Sequence, residues 1–177
     1  MNILHITIHP ISLERRIHNQ INAAQDQSHI VSAMYLDNGN ENTGSKNGDF
    51  LKIPLRTPFY RGGPLKFLHF NWKVLIAGFK CDFDVIHAHD LWILPAATLM
   101  SVLRRKKMIY DAHEYYPGLE IFTRRKMRKW LWIVVEKICI KHAVCVITVS
   151  QPLAKLYIDK YRLRIPVEVI RNVPGYE

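Results

Sequence analysis

Short apolar runs alternate with longer amphipathic stretches along the 177 residues of this chain. The apolar runs are rich in β-branched residues and are bounded by polar residues, which is typical of strands buried in a parallel sheet. They predict seven strands, at residues 3–8, 30–36, 50–55, 84–89, 107–111, 144–149 and 167–171. Helical spacing predicts helices at residues 14–25, 65–80, 91–103, 124–142 and 152–161. Because helices between strands force parallel crossovers, the pattern predicts an α/β fold with a Rossmann-like, doubly wound parallel sheet of about seven strands.

Capping and turn-forming residues mark the ends of several elements. Ser12 and Ser150 are candidate N-caps of two helices, and Pro64 suits the first turn of a third. Residues 38–49 are polar and glycine-rich, so they predict a loop. Pro54 places the third strand near an edge of the sheet, because proline cannot donate to a neighbouring strand.

The length of the chain suits one domain, which we expect over residues 1–171. The Pro-Gly pair within residues 172–177 predicts the start of a linker to a further domain that is absent here. No apolar run reaches the length of a membrane span, and the first residues lack the basic region of a signal peptide. Three cysteines cannot all pair, which favours a reducing compartment and predicts a cytoplasmic protein.

The formal net charge is +10, which predicts an anionic partner. The predicted helices at residues 64–80 and 124–142 combine cations with aromatic residues. Each is a candidate for peripheral contact with an anionic membrane surface, at the inner face of the membrane, and packing in the core is the alternative for each. Nucleic acid is not expected as a partner, because the chain has no helix-turn-helix, zinc-finger or RNP-like motif.

Histidines and acids follow three of the predicted strands. His9 comes after the first strand, His89 and Asp90 after the fourth, and His113 and Glu114 after the fifth. The carboxyl ends of parallel strands line one crevice in which ligands bind, so we expect these residues at one site. A single histidine there fits a structural role as well as a functional one, but several at one rim favour function.

His87 and Asp111 also lie in the fourth and fifth predicted strands, and the sequence predicts an orientation for one and a role for the other. His87 and His89 are two positions apart, so both side chains should point to the same face, with His89 nearer to the mouth of the crevice. We expect Asp111 to accept hydrogen bonds and organise the loop that follows it, rather than to act in catalysis.

The sequence lacks the motifs of several chemistries that are common in this fold. Residues 7–16 contain no Gly-x-Gly-x-x-Gly and the chain has no P-loop lysine, so it is not expected to bind dinucleotides or P-loop nucleotides. No serine lies in a Gly-x-Ser-x-Gly elbow. A metal is not expected either, because the histidines lie on different strands without a His-x-x-x-His spacing, and a metal-dependent hydrolase stays a lesser alternative.

Five segments, in order, resemble the amino-terminal domain of retaining glycosyltransferases of family 4, the group 1 transferases. They are Pro10 with residues 14–17, residues 84–97, residues 110–114, Glu136 with residues 146–150, and residues 169–174. The resemblance implies one half of a GT-B fold, in which two Rossmann-like domains face each other across a cleft. It also implies that this half holds a glycan or lipid-linked acceptor, that the nucleotide-sugar donor belongs to the carboxy-terminal domain, and that no cofactor binds here.

The resemblance further implies roles for single residues. His113 matches the family histidine near the reacting centre, which makes it the candidate catalytic residue. The candidate acceptor-binding residues are His9, Arg16, His89, Asp90 and Glu114. The chain departs from the family where Glu14 replaces an aspartate and where the first strand is not followed by the Gly-Gly of many members.

We therefore expect the acceptor-binding half of a transferase that acts in cell-surface polysaccharide synthesis and is inactive by itself. The alternative is a stand-alone binding or regulatory domain without catalysis.

Overall fold

Seven parallel strands form one sheet in the computed structural model, which describes residues 1–37, 50–58, 63–119 and 126–171. The strands are β1 (Asn2–Thr7), β2 (Ile30–Leu36), β3 (Leu51–Leu55), β4 (Val85–His89), β5 (Lys107–Ala112), β6 (Cys145–Thr148) and β7 (Val167–Val169). Their order is β3-β2-β1-β4-β5-β6-β7, which confirms the doubly wound, Rossmann-like sheet. β3 lies at an edge, as Pro54 predicts. The predicted loop at residues 38–49 and the predicted linker lie outside the described residues.

Five α-helices lie within the described residues and connect these strands. They are α1 (Arg15–Asp26), α2 (Pro64–Lys80), α3 (Leu94–Arg104), α4 (Lys126–Cys139) and α5 (Gln151–Tyr161). Short 3-10 turns occupy Ile11–Leu13, Leu91–Ile93, Tyr116–Gly118 and Ile140–His142. None of the helices that the structure describes combines the length and the apolar character needed to cross a membrane.

Some predicted element ends shift for local reasons. Ser150 caps α5 as predicted, because its Oγ accepts a hydrogen bond from the Leu153 N–H. Ser12 does not cap α1, since it lies inside a 3-10 turn and Glu14 occupies the cap position without a side-chain bond. The predicted helix at residues 91–103 divides into a 3-10 turn and α3, because Pro95 is best tolerated in the first turn of a helix.

The two faces of the sheet differ in character. One face carries the main apolar core, which includes Leu4, Ile86 and Tyr110 and packs against α2, α3 and α4. On the other face, α1 packs against β2 through a smaller apolar cluster that includes Ile17 and Ile21. Alternation along β1, β4 and β5 directs polar side chains to the α1 face, and these side chains form the candidate site.

Candidate functional site

Strand register brings four polar side chains together in the middle of the sheet. His5 in β1 lies beside His87 in β4, and His89 lies beside Asp111 in β5. All four face α1, because they occupy alternate positions from the apolar core residues of the same strands. A buried polar layer therefore lies between the sheet and the start of α1, next to the carboxyl ends of the strands.

Three imidazoles of this layer form a stack. The ring centroids of His87 and His89 are 4.4 Å apart, those of His5 and His87 are 4.7 Å apart, and the planes are tilted by 20° and 36°. His5 Nδ1 and His89 Nε2 share a hydrogen bond of 3.0 Å. Burial and the neighbouring His87 lower the pKa of both His5 and His89 well below the ordinary value. These two rings are therefore neutral at physiological pH.

Asp111 is the anionic centre of the layer. Its carboxylate accepts hydrogen bonds from Arg16 Nη2 at 2.9 Å, Arg16 Nε at 3.2 Å and Gln20 Nε2 at 2.6 Å. Burial by itself would raise the pKa of Asp111, but the imidazoles of His113 and His87 outweigh burial and hold it well below its usual range. Asp111 thus accepts hydrogen bonds, as the sequence indicates, and it organises the helix α1 as well as the following loop.

Asp90 lies directly after β4 in a strained backbone conformation, with φ 72° and ψ 162°. Such a conformation is rare outside glycine and costs about 1–3 kcal/mol, and it is typical of functional sites. Its N–H donates to the Asp111 carbonyl at 3.0 Å. Its carboxylate faces His113 Nδ1 and His9 Nε2, each at 3.7 Å, and burial raises its pKa. The strained turn therefore directs a buried acid between two imidazoles.

The predicted site residues divide by depth. His9 and Glu114 are exposed or partly exposed, and His113 is 16% exposed, so these three form the accessible rim. Asp90 is buried beneath them. Arg16 and His89 are buried as well, at 6% and 0% exposure. The structure thus brings every candidate residue to one region, and it makes only the rim residues open to a ligand.

His89 lies nearer to the carboxyl end of β4 than His87, as expected, and its ring meets that of His113 edge-on with 5.7 Å between centroids. Both rings are nevertheless buried, His89 at 0% and His87 at 7% exposure. The prediction that both rings share one face is confirmed. His5 joins the site although the histidines that follow the strands do not point to it. Its only signal in the sequence is that it alternates with the core residues of β1 and therefore faces the opposite side of the sheet.

By distance, two sets of side chains could hold a metal ion. The sets are His5, His87 and His89, and His89, Asp111 and His113, each with ligand atoms within 4.8 Å of one another. In the first set His5 Nδ1 and His89 Nε2 already share a hydrogen bond of 3.0 Å, which a metal ion bound by these two atoms would have to break. In the second set Asp111 already accepts three hydrogen bonds, and the Arg16 guanidinium would repel a divalent cation. The second set therefore suits a charge-paired network better than a metal centre.

Fold and site together define a Rossmann-like α/β domain with a cluster of polar and charged side chains at the carboxyl ends of its strands. Residues 13–173 match the family model of Glycosyltransferase Family 4, and the chain belongs to this family. No curated protein matches the chain in sequence.

Solved structures of GT-B glycosyltransferases share the fold. Anabaena HepE, in complex with UDP and glucose, is 20% identical with a TM-score of 0.65 over 97% of this chain and 44% of its own. Sucrose-phosphate synthase from Thermosynechococcus elongatus is 16% identical, with a TM-score of 0.65 over 97% and 48%. Acinetobacter baumannii MurG is 11% identical, with a TM-score of 0.61 over 96% and 44%. The chain spans less than half of each, and its fold is that of one half of a GT-B enzyme.

Proposed function

We propose that this chain is the acceptor-binding half of a retaining glycosyltransferase that moves a sugar from a nucleotide-sugar to a glycan or lipid-linked acceptor. Membership of Glycosyltransferase Family 4 supports the transfer chemistry. The observation that carries the site is the rim of His9, His113 and Glu114 above the buried carboxylates of Asp90 and Asp111. A crevice at this edge of a parallel sheet is where such folds bind ligands.

The other half of the transfer site, in this proposal, is a carboxy-terminal Rossmann-like domain that holds the donor. Two observations support a divided site. The chain covers 44–48% of HepE and of sucrose-phosphate synthase, and HepE was solved with UDP-glucose. We assign no cofactor to the present domain, and we expect it to be inactive until the donor domain faces it.

The rim residues are proposed to meet the acceptor directly. His113 contacts the transferring sugar and the acceptor hydroxyl, while His9 and Glu114 bind the rest of the acceptor. Arg16 and His89 are buried, and Arg16 is held by Asp111 and by the Ile170 carbonyl at 2.6 Å. Their contact with an acceptor stays a prediction, and we infer that both support the site from beneath.

The decisive experiment is His113→Ala in a polypeptide that carries both halves. We expect turnover to fall by about 100-fold or more, the range of a positioned acid–base or charged group, with donor binding nearly unchanged. Glu114→Gln is the matched control at the neighbouring exposed position, and it should raise the acceptor KM more than it lowers kcat. Unchanged turnover in His113→Ala would remove the catalytic assignment.

A role in cell-surface polysaccharide or glycolipid synthesis is supported by an exposed apolar surface. The outer side of α2 carries Leu65, Leu68, Trp72, Ile76 and Phe79, all between 44% and 70% exposed. At the start of α4, Met127, Trp130 and Leu131 are 52–82% exposed, next to the exposed Lys126 and Arg128. Monomeric proteins rarely expose so many large apolar side chains without a partner.

We propose that this surface binds the cytoplasmic face of an anionic membrane. Both helices begin near the rim: Phe67 of α2 and Trp132 of α4 pack on Trp92, directly after β4, with centroids 4.4 and 4.8 Å away. A membrane bound there would bring a lipid-linked acceptor close to His113. The core-packing alternative holds for the inner sides of the same helices, where Phe70, Val74 and Glu136 are buried.

A further inference from the structure

His113 lies between two buried carboxylates, with one ring nitrogen facing each. Nδ1 is 3.7 Å from Asp90 Oδ1, and Nε2 is 3.7 Å from Asp111 Oδ2. These distances exceed a hydrogen bond, so in this conformation the ring interacts with both acids by charge. Nε2 is itself buried and has no hydrogen-bond partner among the described residues. An imidazole with a carboxylate near each nitrogen interacts most favourably with them when both nitrogens carry protons.

The charged groups around the ring favour its cationic form. Burial by itself lowers the pKa of His113, but Asp111 and Asp90 outweigh burial, and the pKa is raised. Arg16 on α1 opposes them, but its guanidinium is already paired with Asp111. His89 in β4, which meets the ring edge-on, is neutral because burial lowers its own pKa. Because Arg16 and Asp111 together carry no net charge, the net negative charge beside the ring comes from Asp90, even though burial raises the pKa of that carboxyl.

Asp90 has neighbours that keep its carboxylate directed at the ring. His9 Nε2 lies 3.7 Å from its second oxygen, and Tyr116 forms a side-chain hydrogen bond with it. The backbone of Asp90 is strained, with φ at 72°, a conformation that side chains other than glycine rarely adopt. This strain supports a positioning role, since it fixes where the carboxylate points.

We propose that Asp90 and Asp111 are positioning residues that hold His113 as an imidazolium at the rim of the crevice. The inference rests on the proposed function and specifies it: His113 supplies a positive charge and N–H donors, and it is not a general base. During glycosyl transfer, negative charge develops on the leaving phosphate oxygen. A fixed cation that contacts the transferring sugar is within electrostatic range of that oxygen, so it stabilises the transition state more than the ground state.

An NMR titration of the His113 imidazole in this chain tests whether Asp90 and Asp111 hold the ring as a cation, and it needs no activity. We expect the wild-type ring to titrate above 6.5 and Asp90→Asn to lower its pKa by about 0.5–1 unit. Glu114→Gln, which removes a neighbouring exposed acid, should change it much less. A wild-type pKa at or below 6.5, or a pKa that Asp90→Asn leaves in place, would overturn the proposal. If Asp90→Asn does not fold, the wild-type titration alone decides.

The pH dependence of turnover tests the role of the charge in a polypeptide with both halves. We expect kcat to fall as the pH rises through the pKa of His113, and Asp90→Asn to move this fall to lower pH. A kcat that rises through the same pKa would show a neutral base and contradict the inference. If His113→Ala has no effect on transfer, the proposed function fails. The NMR titration is independent of that result, because it measures only the charge of His113 between Asp90 and Asp111.

Discussion

Arg16 at the start of α1 and Asp111 at the end of β5 form a buried ion pair across 95 positions of sequence, with Nη2 and Oδ1 2.9 Å apart. The same guanidinium donates to the Ile170 carbonyl just beyond β7. One side chain thus connects the first helix, the centre of the sheet and its far edge. Because it is paired twice by Asp111, its removal leaves a buried carboxylate without its main partner.

Arg16→Met should therefore destabilise the chain by about 3–5 kcal/mol, because removing one partner of a buried ion pair leaves the other charge buried and unpaired. Urea unfolding measures this free energy. The matched control is Arg56→Met: Arg56 pairs with Asp37 at 2.7 Å but is 68% exposed, so we expect about 1 kcal/mol or less. The double variant Arg16→Met, Asp111→Leu should lose less than the sum of its single variants, and additive losses would contradict the pairing.

Much of this architecture is predictable from the chain, and the reasons are physical. Alternation of apolar residues defines the strands, and crossover geometry then leaves a parallel, doubly wound sheet with only a few possible strand orders. Alternation also places His87 and His89 on one face. It cannot show that β1 lies beside β4 with His5 opposite His87, because that register depends on the packing of distant segments.

The depth of each site residue was also beyond sequence reasoning. Arg16 was expected to face a ligand, because guanidinium groups bind phosphate well. The structure pairs it with Asp111, which lies on another element and becomes its neighbour only after α1 packs on the sheet. His89 is covered by the loop that carries His113, and the path of that loop has no signature in the spacing of residues. Residue type predicted the location of the site, and tertiary packing decides which members can touch a ligand.

The buried imidazoles predict how stability depends on pH. His5 and His89 have folded-state pKa values well below 6.5, chiefly because of burial. As the pH falls below 6.5, the unfolded chain binds protons at these positions that the folded chain does not, so the free energy of unfolding decreases. Each histidine contributes a slope that approaches about 1.4 kcal/mol per pH unit. His113 has a raised pKa and acts at higher pH: its contribution grows as the pH falls towards 6.5 and is complete below that value, so it does not offset the loss from His5 and His89.

Urea unfolding between pH 8 and pH 5 measures this slope, and the range is about that in which histidines titrate. His5→Gln should flatten the slope below pH 6.5, because one neutral buried imidazole is removed. His142→Gln, at an exposed position, serves as the control and should leave the slope unchanged. A stability that does not vary over this range would show that the stack does not stay neutral in the folded chain.

Another buried acid, Glu136 of α4, is held by three tyrosine hydroxyls in the main core. Tyr110 and Tyr157 donate to Oε1 at 2.8 and 2.7 Å, and Tyr161 donates to Oε2. Burial raises the pKa of Glu136, and the hydroxyls lower it in part. Tyr157→Phe should cost about 1.5–3 kcal/mol, the range for a hydrogen bond to a charged group, by urea unfolding. In a Glu136→Leu background the same substitution should cost clearly less, and an equal cost would assign the effect to packing alone.

The proposed membrane-binding surface on α2 and α4 should bind vesicles through both its charges and its exposed aromatic residues. In vesicle flotation, the chain should float with phosphatidylcholine vesicles that contain phosphatidylglycerol, and much less with phosphatidylcholine alone. Raised salt should weaken this binding, because screening acts on exposed charges. Trp72→Ser and Trp130→Ser should each reduce flotation. Ile30→Ser is the matched control, since Ile30 is 68% exposed but begins β2 at the amino ends of the strands, opposite the rim. Equal flotation with both vesicle types, or equal losses in all three variants, would exclude an anionic membrane as the occupant of this surface.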